Sequence, residues 1–376
     1  MSRVVFAGGG TGGHLYPALA LGAALREARP ELGVAYIGAQ RGIESRVLPE
    51  KGVEHRLLPL EPLRRDRVWQ NWRLPVAMVK SLAALRREFR ARRPDAVVCT
   101  GGYASGPAGL MALLSGVPIA LQEQNSYPGL TIRWLSRWAS QIHLGFPEAE
   151  AHLSPGRDTR IYALGNPIQP PVRMDGREAR TSFGLSPDAT TLLVVGGSQG
   201  ALAVNQALAS ALERVAAGDL PAAPAGLEIL WATGPKHLDD IQGRLAAIEP
   251  GLLVRAVGYI DDMPRALAAT DVALTRAGAM MTAELQAWGI PMLLVPLPTA
   301  AADHQTHNAK ALADAGAGVL LRQAELTPES LWSAIVGLAG DEPRRIEMSR
   351  VARERGRPDA ARAIAGKLLE MVGEAA

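Results

Sequence analysis

A histidine follows a run of glycines near the start of the chain, GGGTGGH at residues 8–14. Gly8, Gly10 and Gly13 keep the G-x-G-x-x-G spacing of a turn that passes from a strand into a helix and points its N–H groups at a phosphate. His14 stands where that helix begins, and an imidazole's reference pKa is near neutrality, so it is a candidate general base. A dinucleotide-binding turn would also want an acid closing the second strand, to hold a ribose hydroxyl. Here VAYIG is followed by Ala39 and Gln40, and the nearest acid is Glu44. Two readings stay open: an anion cradle suited to a diphosphate, or a tight turn whose glycines serve packing alone.

Later loops carry side chains of the kinds that bind sugars and nucleotides. EQNSYPG (123–129) sets Glu123, Gln124 and Asn125 side by side, a cluster suited to hydroxyls and amides, and GGYASGP (101–107) precedes it. GGSQGALAVN (196–205) opens a second helix, with Ser198 and the N–H groups of the turn as phosphate contacts. In RAGAMMTAEL (276–285), Glu284 is either a favourable acid near a helix N-terminus or a carboxylate accepting the two hydroxyls of a ribose. PLPTAAADHQTHNAKAL (296–312) gathers Asp303, His304, Gln305, His307 and Asn308. Neither an H-E-x-x-H pattern nor a D-x-D pair occurs, so no metal is expected. A metal-free site must stabilise a leaving diphosphate with helix N-termini and polar side chains.

These loops need a frame. Apolar runs such as RVVFAGGG, DAVVCTGG, TLLVVGGSQGA and PMLLVPLPT alternate with helical stretches, the pattern of parallel sheets covered on both faces. Such sheets bind ligands at the carboxyl ends of their strands. The expected fold is α/β: two doubly wound Rossmann-like domains facing across a cleft. The 376 residues suit two domains. ALGNPIQPPV reads as the linker, giving an N-terminal domain over 1–163, a second over 164–345, and C-terminal helices over 346–376 that pack back on the first.

Composition narrows the class further. The single cysteine, Cys99, excludes an internal disulfide and fits a reducing cytoplasm. The start reads as a buried strand rather than a signal peptide, and no apolar run of about 18 residues predicts a membrane span. A formal charge of +3 argues against wholesale nucleic-acid coating. It is unevenly spread: residues 64–93 are strongly basic, with Trp69 and Trp72 interleaved. That segment is either an amphipathic helix with a solvated basic face or a contact for an anionic lipid surface.

Taken in series, GGGTGGHLYPALAL, GGYASGP, EQN, GNP, GGSQGA, IDDM, RAGAMMTAEL and DHQTHNA resemble the MurG family of bacterial glycosyltransferases (family 28), over about residues 3–360. The resemblance implies a GT-B fold, with the uridine nucleotide in the second domain and a lipid-linked acceptor in the first. It places Thr11, Gly12, Gly13 and Asn125 on the donor-sugar side and Ser198 on the diphosphate. Ile260 would meet the uracil, and Ala279, Met280, Met281, Thr282, Ala283 and Glu284 the diphosphate and ribose. Gln305 matches the family's donor-contacting glutamine, and His14 the histidine thought to assist the acceptor. Where relatives carry an arginine after GNP, this chain has Gln169.

The activity so implied is inverting transfer of N-acetylglucosamine from UDP-GlcNAc to the C4 hydroxyl of undecaprenyl-pyrophosphoryl-MurNAc-pentapeptide (lipid I). The product is lipid II, for peptidoglycan synthesis and hence cell shape and division. His14 is the candidate base and Glu123 a supporting carboxylate. The implied place is the cytoplasmic face of the cell membrane. Other cell-wall synthesis proteins are partners to expect; nucleic acid, metal and further cofactors are not. The rival readings are another GT-B glycolipid transferase, a UDP-sugar epimerase and an NAD-dependent dehydrogenase. The dehydrogenase suffers from the missing ribose acid. The epimerase would need more carboxylates than Glu123 in the first-domain loops.

Overall fold

The computed structural model describes residues 2–60, 72, 74–197 and 200–374. Ser198 lies outside them, as do Trp69 and most of the first ten residues of the basic segment. The chain forms two compact units, residues 1–169 with 358–376, and residues 170–357.

The first unit runs β1 (Arg3–Gly8), α1 (Gly12–Ala28), β2 (Gly33–Ala39), α2 (Glu44–Glu50), β3 (His55–Leu58), α3 (Leu74–Ala91), β4 (Ala96–Gly101), α4 (Ser105–Leu114), β5 (Ile119–Glu123), α5 (Leu130–Leu135), β6 (Gln141–Leu144) and β7 (Arg160–Tyr162). Its seven strands are all parallel, in the order β3-β2-β1-β4-β5-β6-β7. β1 and β4 are buried along their whole length because helices cover both faces, which is why they read as unbroken apolar runs. Alternate side chains go to opposite faces. Val5, Ala7, Val97 and Cys99 meet Leu85 and Phe89 of α3, Met111 of α4 and Leu135 of α5. Val4, Phe6 and Val98 meet Leu15, Leu21 and Leu25 of α1 on the other face. Burial pushes the Cys99 thiol up to about 12, so it acts as a small core hydrophobe.

The second unit runs α6 (Gly176–Ser182), β8 (Thr190–Val195), α7 (Leu202–Ala216), β9 (Leu227–Ala232), α8 (Leu238–Ala246), β10 (Val254–Val257), α9 (Met263–Ala268), β11 (Val272–Thr275), α10 (Ala279–Trp288), β12 (Met292–Leu294), α11 (His304–Asp314), β13 (Gly318–Leu320), α12 (Pro328–Ala339) and α13 (Glu342–Arg355). Its six parallel strands are ordered β10-β9-β8-β11-β12-β13. Leu192, Val194, Ile229 and Trp231 pack against Leu208 and Leu212 of α7 and Trp332 and Ile335 of α12. Each buried indole finds an acceptor: Trp231 donates to the Asn205 side chain at 3.1 Å, and Trp332 to the Pro221 carbonyl at 2.8 Å.

The C-terminal helices divide between the units. α13 packs on α10, where Gly356 lets the backbones of residues 286 and 287 come close. The last helix, α14 (Ala360–Glu374), belongs to the first unit. Its Ile364, Ala365, Leu368, Met371 and Val372 complete the core beside α1, and the Gln141 side chain of β6 donates to the Lys367 carbonyl at 2.9 Å. Among the described residues no helix is long and apolar enough to cross a membrane.

Candidate active site

In each sheet the strand order reverses once, between β1 and β4 in the first and between β8 and β11 in the second. A doubly wound sheet opens a crevice at that reversal, beyond the carboxyl ends of the strands. GGGTGGH and GGYASGP follow β1 and β4; GGSQGA and RAGA follow β8 and β11.

The glycine loop of the first unit rests on Glu44. This side chain is fully buried at the start of α2, and its two oxygens accept the Gly10 N–H at 3.1 and 2.9 Å and the Ala39 N–H at 2.9 Å. Gly9, Gly38 and Gly42 crowd around it, and a Cβ on any of them would overlap the Glu44 side chain. Glu44 is thus no ribose ligand but a strut under the loop.

His14 sits in the first turn of α1, half-buried, with Nδ1 3.2 Å from the Gly9 carbonyl and 3.3 Å from the Thr11 hydroxyl. A carbonyl oxygen only accepts, so Nδ1 carries the proton and Nε2 is the basic nitrogen of the neutral ring. The imidazole lies against Gly101, where a Cβ would come within 2.8 Å of its Cδ2. Gly101 and Gly102 both take positive φ, 99° and 76°, and a Cβ on Gly102 would overlap the Gly9 carbonyl. The Thr100 hydroxyl donates to the His14 carbonyl at 2.8 Å and pins the start of α1 to β4. Thr11 and Gly13 are exposed and Gly12 half-buried, so this turn presents its backbone outward.

The EQN triplet divides its labour. Glu123 is buried, with Oε1 accepting from the Asn125 N–H at 2.9 Å and its side-chain amide at 3.1 Å, and Oε2 from the Gly129 N–H at 2.9 Å. Burial pushes its carboxyl above the usual range, against the pull of those N–H groups. Gln124 turns inward, donating to the carbonyls of Thr100 and Gln122, both at 2.9 Å. Its own carbonyl accepts from Asn166, the asparagine of GNP, at 2.9 Å. The expectation of three adjacent sugar-binding side chains therefore narrows to Asn125, which is half-buried at the loop surface. The other two shape the loop.

In the second unit a pocket of about 610 Å³ opens at the strand reversal. Gly196, Gly197 and Gly200 form one side, Thr275, Arg276, Gly278 and Met281 another, and Leu297, Pro298, Thr299, Gln305 and Gln323 the rest. Two helices start there, α7 and α10, and neither has a side-chain cap or an acid in its first turn. Four other helices carry a side-chain cap, Asp175 for α6, Asp262 for α9, Thr327 for α12 and Asp341 for α13, while α1, α2, α4, α5, α8 and α11 do not. The N-terminal backbone and positive dipole ends of α7 and α10 at the pocket suit an anion. Arg276 adds a cation; its guanidinium donates to the carbonyls of Val295 at 3.1 Å and Pro296 at 3.2 Å, and burial lowers its pKa.

The remaining expected residues fall on α10 and its neighbours. Ala279 to Glu284 form the first two turns of α10, with Ala279 and Thr282 buried and Met280, Met281, Ala283 and Glu284 half-buried. The Thr282 hydroxyl donates to the Gly278 carbonyl at 3.1 Å. Burial raises the Glu284 carboxyl to about 7. Ile260 is buried in the loop before α9. Gln305 lines the pocket, where its Oε1 accepts the Leu297 N–H at 3.0 Å. His304 bonds the Ala301 carbonyl at 2.8 Å, and Asp303 accepts from Thr306 at 2.7 Å. Gln169 is exposed at the end of the first unit's leading segment. Among the described residues no three His, Cys, Asp or Glu side chains converge as a metal site would require. Sequence reasoning met Glu44 only as the acid nearest the second strand and passed over Arg276 and Gln323. Arg276 stood inside a quoted motif, and its charge among small residues was the available signal.

Two family models match the chain: the glycosyltransferase family 28 N-terminal domain over residues 4–144 and the family 28 C-terminal domain over residues 191–364. The chain belongs to glycosyltransferase family 28. Its two doubly wound units are those of a GT-B transferase. It is 40% identical, over 98% of its length and 96% of the relative's, to the UDP-N-acetylglucosamine–N-acetylmuramyl-(pentapeptide) pyrophosphoryl-undecaprenol N-acetylglucosamine transferase of Salinibacter ruber. The protein of that name from Lactiplantibacillus plantarum is 38% identical, with 96% of each chain covered. Among solved structures, Acinetobacter baumannii MurG superposes with a TM-score of 0.79 at 28% identity, covering 98% of this chain and all of that one.

Proposed function

We propose that this family 28 chain transfers N-acetylglucosamine from UDP-GlcNAc to lipid I, making lipid II for peptidoglycan. The observation that carries the reading is near full-length identity, 40%, with a transferase named for that reaction. The geometry supports it, since the second unit offers a pocket with two uncapped helix N-termini and a cation, the features a nucleoside diphosphate requires. The epimerase reading draws on a likeness of 15% identity, to a Listeria monocytogenes structure described as a UDP-N-acetylglucosamine 2-epimerase, and Glu44, the acid beside the first glycine loop, is spent on its backbone.

In the assigned reaction the acceptor's C4 hydroxyl oxygen attacks the anomeric carbon from the face opposite the nucleotide. The bond from that carbon to the phosphate oxygen breaks, UDP leaves with the electron pair, and configuration inverts. His14 Nε2 takes the hydroxyl proton; the Gly9 carbonyl fixes the ring so that this nitrogen is the basic one. Thr11, Gly12, Gly13 and Asn125 are assigned to the donor sugar and the acceptor's diphosphate. Glu123 is a positioning residue, since its carboxylate is spent on the Asn125 loop. Charge on the departing UDP is met by the N-termini of α7 and α10, by Ser198 and by Arg276, which supplies in this chain the positive charge that Gln169 does not. Glu284 is assigned to the ribose hydroxyls, Ile260 to the uracil, and Ala279 to Ala283 with Gln305 to the diphosphate and sugar. No protein-bound metal enters the scheme.

The acceptor lies in a bilayer, and residues 64–93 are assigned to its cytoplasmic surface. In the described part, α3 buries only Ser81, Leu85 and Phe89, a stripe at i, i+4 and i+8. Trp72, Val76 and Val79 stand 67%, 51% and 67% exposed, with Lys80, Arg86, Arg87 and Arg90 on the same helix. Apolar groups beside cations suit anionic headgroups.

Incubation with labelled UDP-GlcNAc and a short-chain lipid I analogue tests the activity. Label is expected in a disaccharide-linked lipid. Conversion of UDP-GlcNAc to an isomer without acceptor, or transfer only to diacylglycerol, would replace this reading with a rival.

A further inference from the structure

We infer that Gln323 reads the transferred sugar, its side-chain oxygen accepting a hydrogen bond from a hydroxyl or the acetamide N–H of the hexosamine. The inference rests on the proposed donor and adds a residue to its recognition. Gln323 stands in the short turn that follows β13, and it lines the pocket of the second unit. Its Oε1 is buried and, among the described residues, has no hydrogen-bond partner. Buried amide oxygens are nearly always paired, so an orphan on a side chain that lines a ligand pocket is an acceptor for a ligand's donor group once the amide turns toward it.

The chemistry of the donor decides which part of it fits. A diphosphate offers only acceptors at neutral pH and would be repelled by an amide oxygen; its natural partners here are the N-termini of α7 and α10 and the Arg276 guanidinium. The residues assigned to the nucleoside, Ile260 and Glu284, are not among those lining the pocket. The sugar is what remains, with several hydroxyls and one amide N–H. Gln305 completes the pairing. Its oxygen is taken by the Leu297 N–H, which turns its amide nitrogen to donor duty. One pocket wall thus presents a glutamine with N–H groups to give and a second glutamine with an oxygen to fill. A sugar hydroxyl, which both donates and accepts, satisfies such a pair.

The test compares UDP with UDP-GlcNAc as ligands of the full chain by calorimetry, in wild type, Gln323→Met and Gln323→Glu. Methionine keeps the volume and removes the acceptor; glutamate keeps the acceptor. UDP should bind wild type and Gln323→Met alike; the carboxylate of Gln323→Glu repels the diphosphate, so it should weaken UDP and UDP-GlcNAc by one common factor. UDP-GlcNAc should bind Gln323→Met about tenfold more weakly than wild type, the size of one lost hydrogen bond. UDP-glucose, which lacks the acetamide, then separates the two donor groups: if it loses the same factor, a hydroxyl is read, and if it loses nothing, the acetamide N–H is. In Gln323→Met, equal weakening of UDP and UDP-GlcNAc would make Gln323 a structural residue and overturn the inference, as would no change for either. Wild type that binds UDP but gains nothing from the sugar would instead overturn the donor assignment. Thermal melting of both variants guards against a folding effect.

Discussion

Glu44 holds Gly10: both oxygens of its buried carboxylate lie within hydrogen-bond reach of that one backbone N–H, at 3.1 and 2.9 Å. An acid set under a glycine loop cannot be mistaken for a ligand contact once its partners are known. It decides the shape of the loop that carries His14.

Replacing Glu44 should therefore damage the first unit's loop and leave the second unit's pocket intact. Glu44→Ala strands the buried N–H of Ala39, which costs about 1–3 kcal/mol, and releases the half-buried N–H of Gly10. Thermal unfolding should show the loss. UDP affinity, measured calorimetrically on folded protein, should stay at the wild-type value while turnover falls. Loss of UDP binding at a temperature where the variant is folded would contradict the assignment.

For His14, the variant to make is His14→Ala. With donor and acceptor saturating, kcat should fall about 10²- to 10⁴-fold, the usual contribution of a general base, with UDP binding unchanged. Near-full turnover would remove the base role.

Glu284 gives a pH signature. Its folded pKa, about 7, lies above the ordinary 4.5, so the native state binds this proton more readily than the unfolded chain does. Stability contributed this way is present below the unfolded value and declines as pH rises toward 7. Glu284→Gln should match wild type in Tm at about pH 4 and exceed it at about pH 8. Donor binding should run the other way. UDP should tighten with rising pH in wild type as the carboxylate forms, and stay flat and weaker in the variant. A pH-independent difference in both readouts would refute the assignment.

Gly102 and Gly116 make a matched pair. Both have positive φ, 76° and 61°. A Cβ at Gly116 meets nothing nearer than the Arg93 guanidinium at 3.7 Å, whereas one at Gly102 overlaps the Gly9 carbonyl. Gly116→Ala should cost only the left-handed backbone, about 1–2 kcal/mol, and keep activity. Gly102→Ala should cost more and lower turnover, because it forces the two loops beside His14 apart. Equal effects on denaturant midpoint and activity would show that the close approach is unimportant.

Vesicle binding tests the basic segment. Wild type should bind anionic vesicles and release as salt rises, and Trp72→Ser with Val79→Ser should weaken binding while leaving UDP affinity alone. Binding that ignores both salt and these changes would point elsewhere.

Much of the fold could be read from residues alone, because parallel strands buried on both faces must be apolar along their length and must end in loops. The glycine runs then marked which loops mattered. Side-chain direction was not legible. Glu123 and Gln124 look like their neighbour Asn125 in one dimension, yet only their bonds in the folded loop, Glu123 to the Asn125 and Gly129 N–H groups and Gln124 to the Thr100 and Gln122 carbonyls, show that the first two turn inward. Glu44 is 34 residues from the amide it holds, and Gln323 reaches the pocket only because β13 pairs with β12. Neither has a periodic signal. Arg276 was legible as a charge, but its place in the pocket required the loop after β12 to fold over it.

The division of the two C-terminal helices has a consequence for the order in which the protein can be made. A ribosome that has delivered residues 1–169 has produced all seven strands of the first sheet, but not α14, whose Ile364, Leu368 and Met371 fill the core beside Leu21 and Leu25. That apolar face waits, uncovered, while the entire second unit is synthesised. The part of the protein that begins first is finished last.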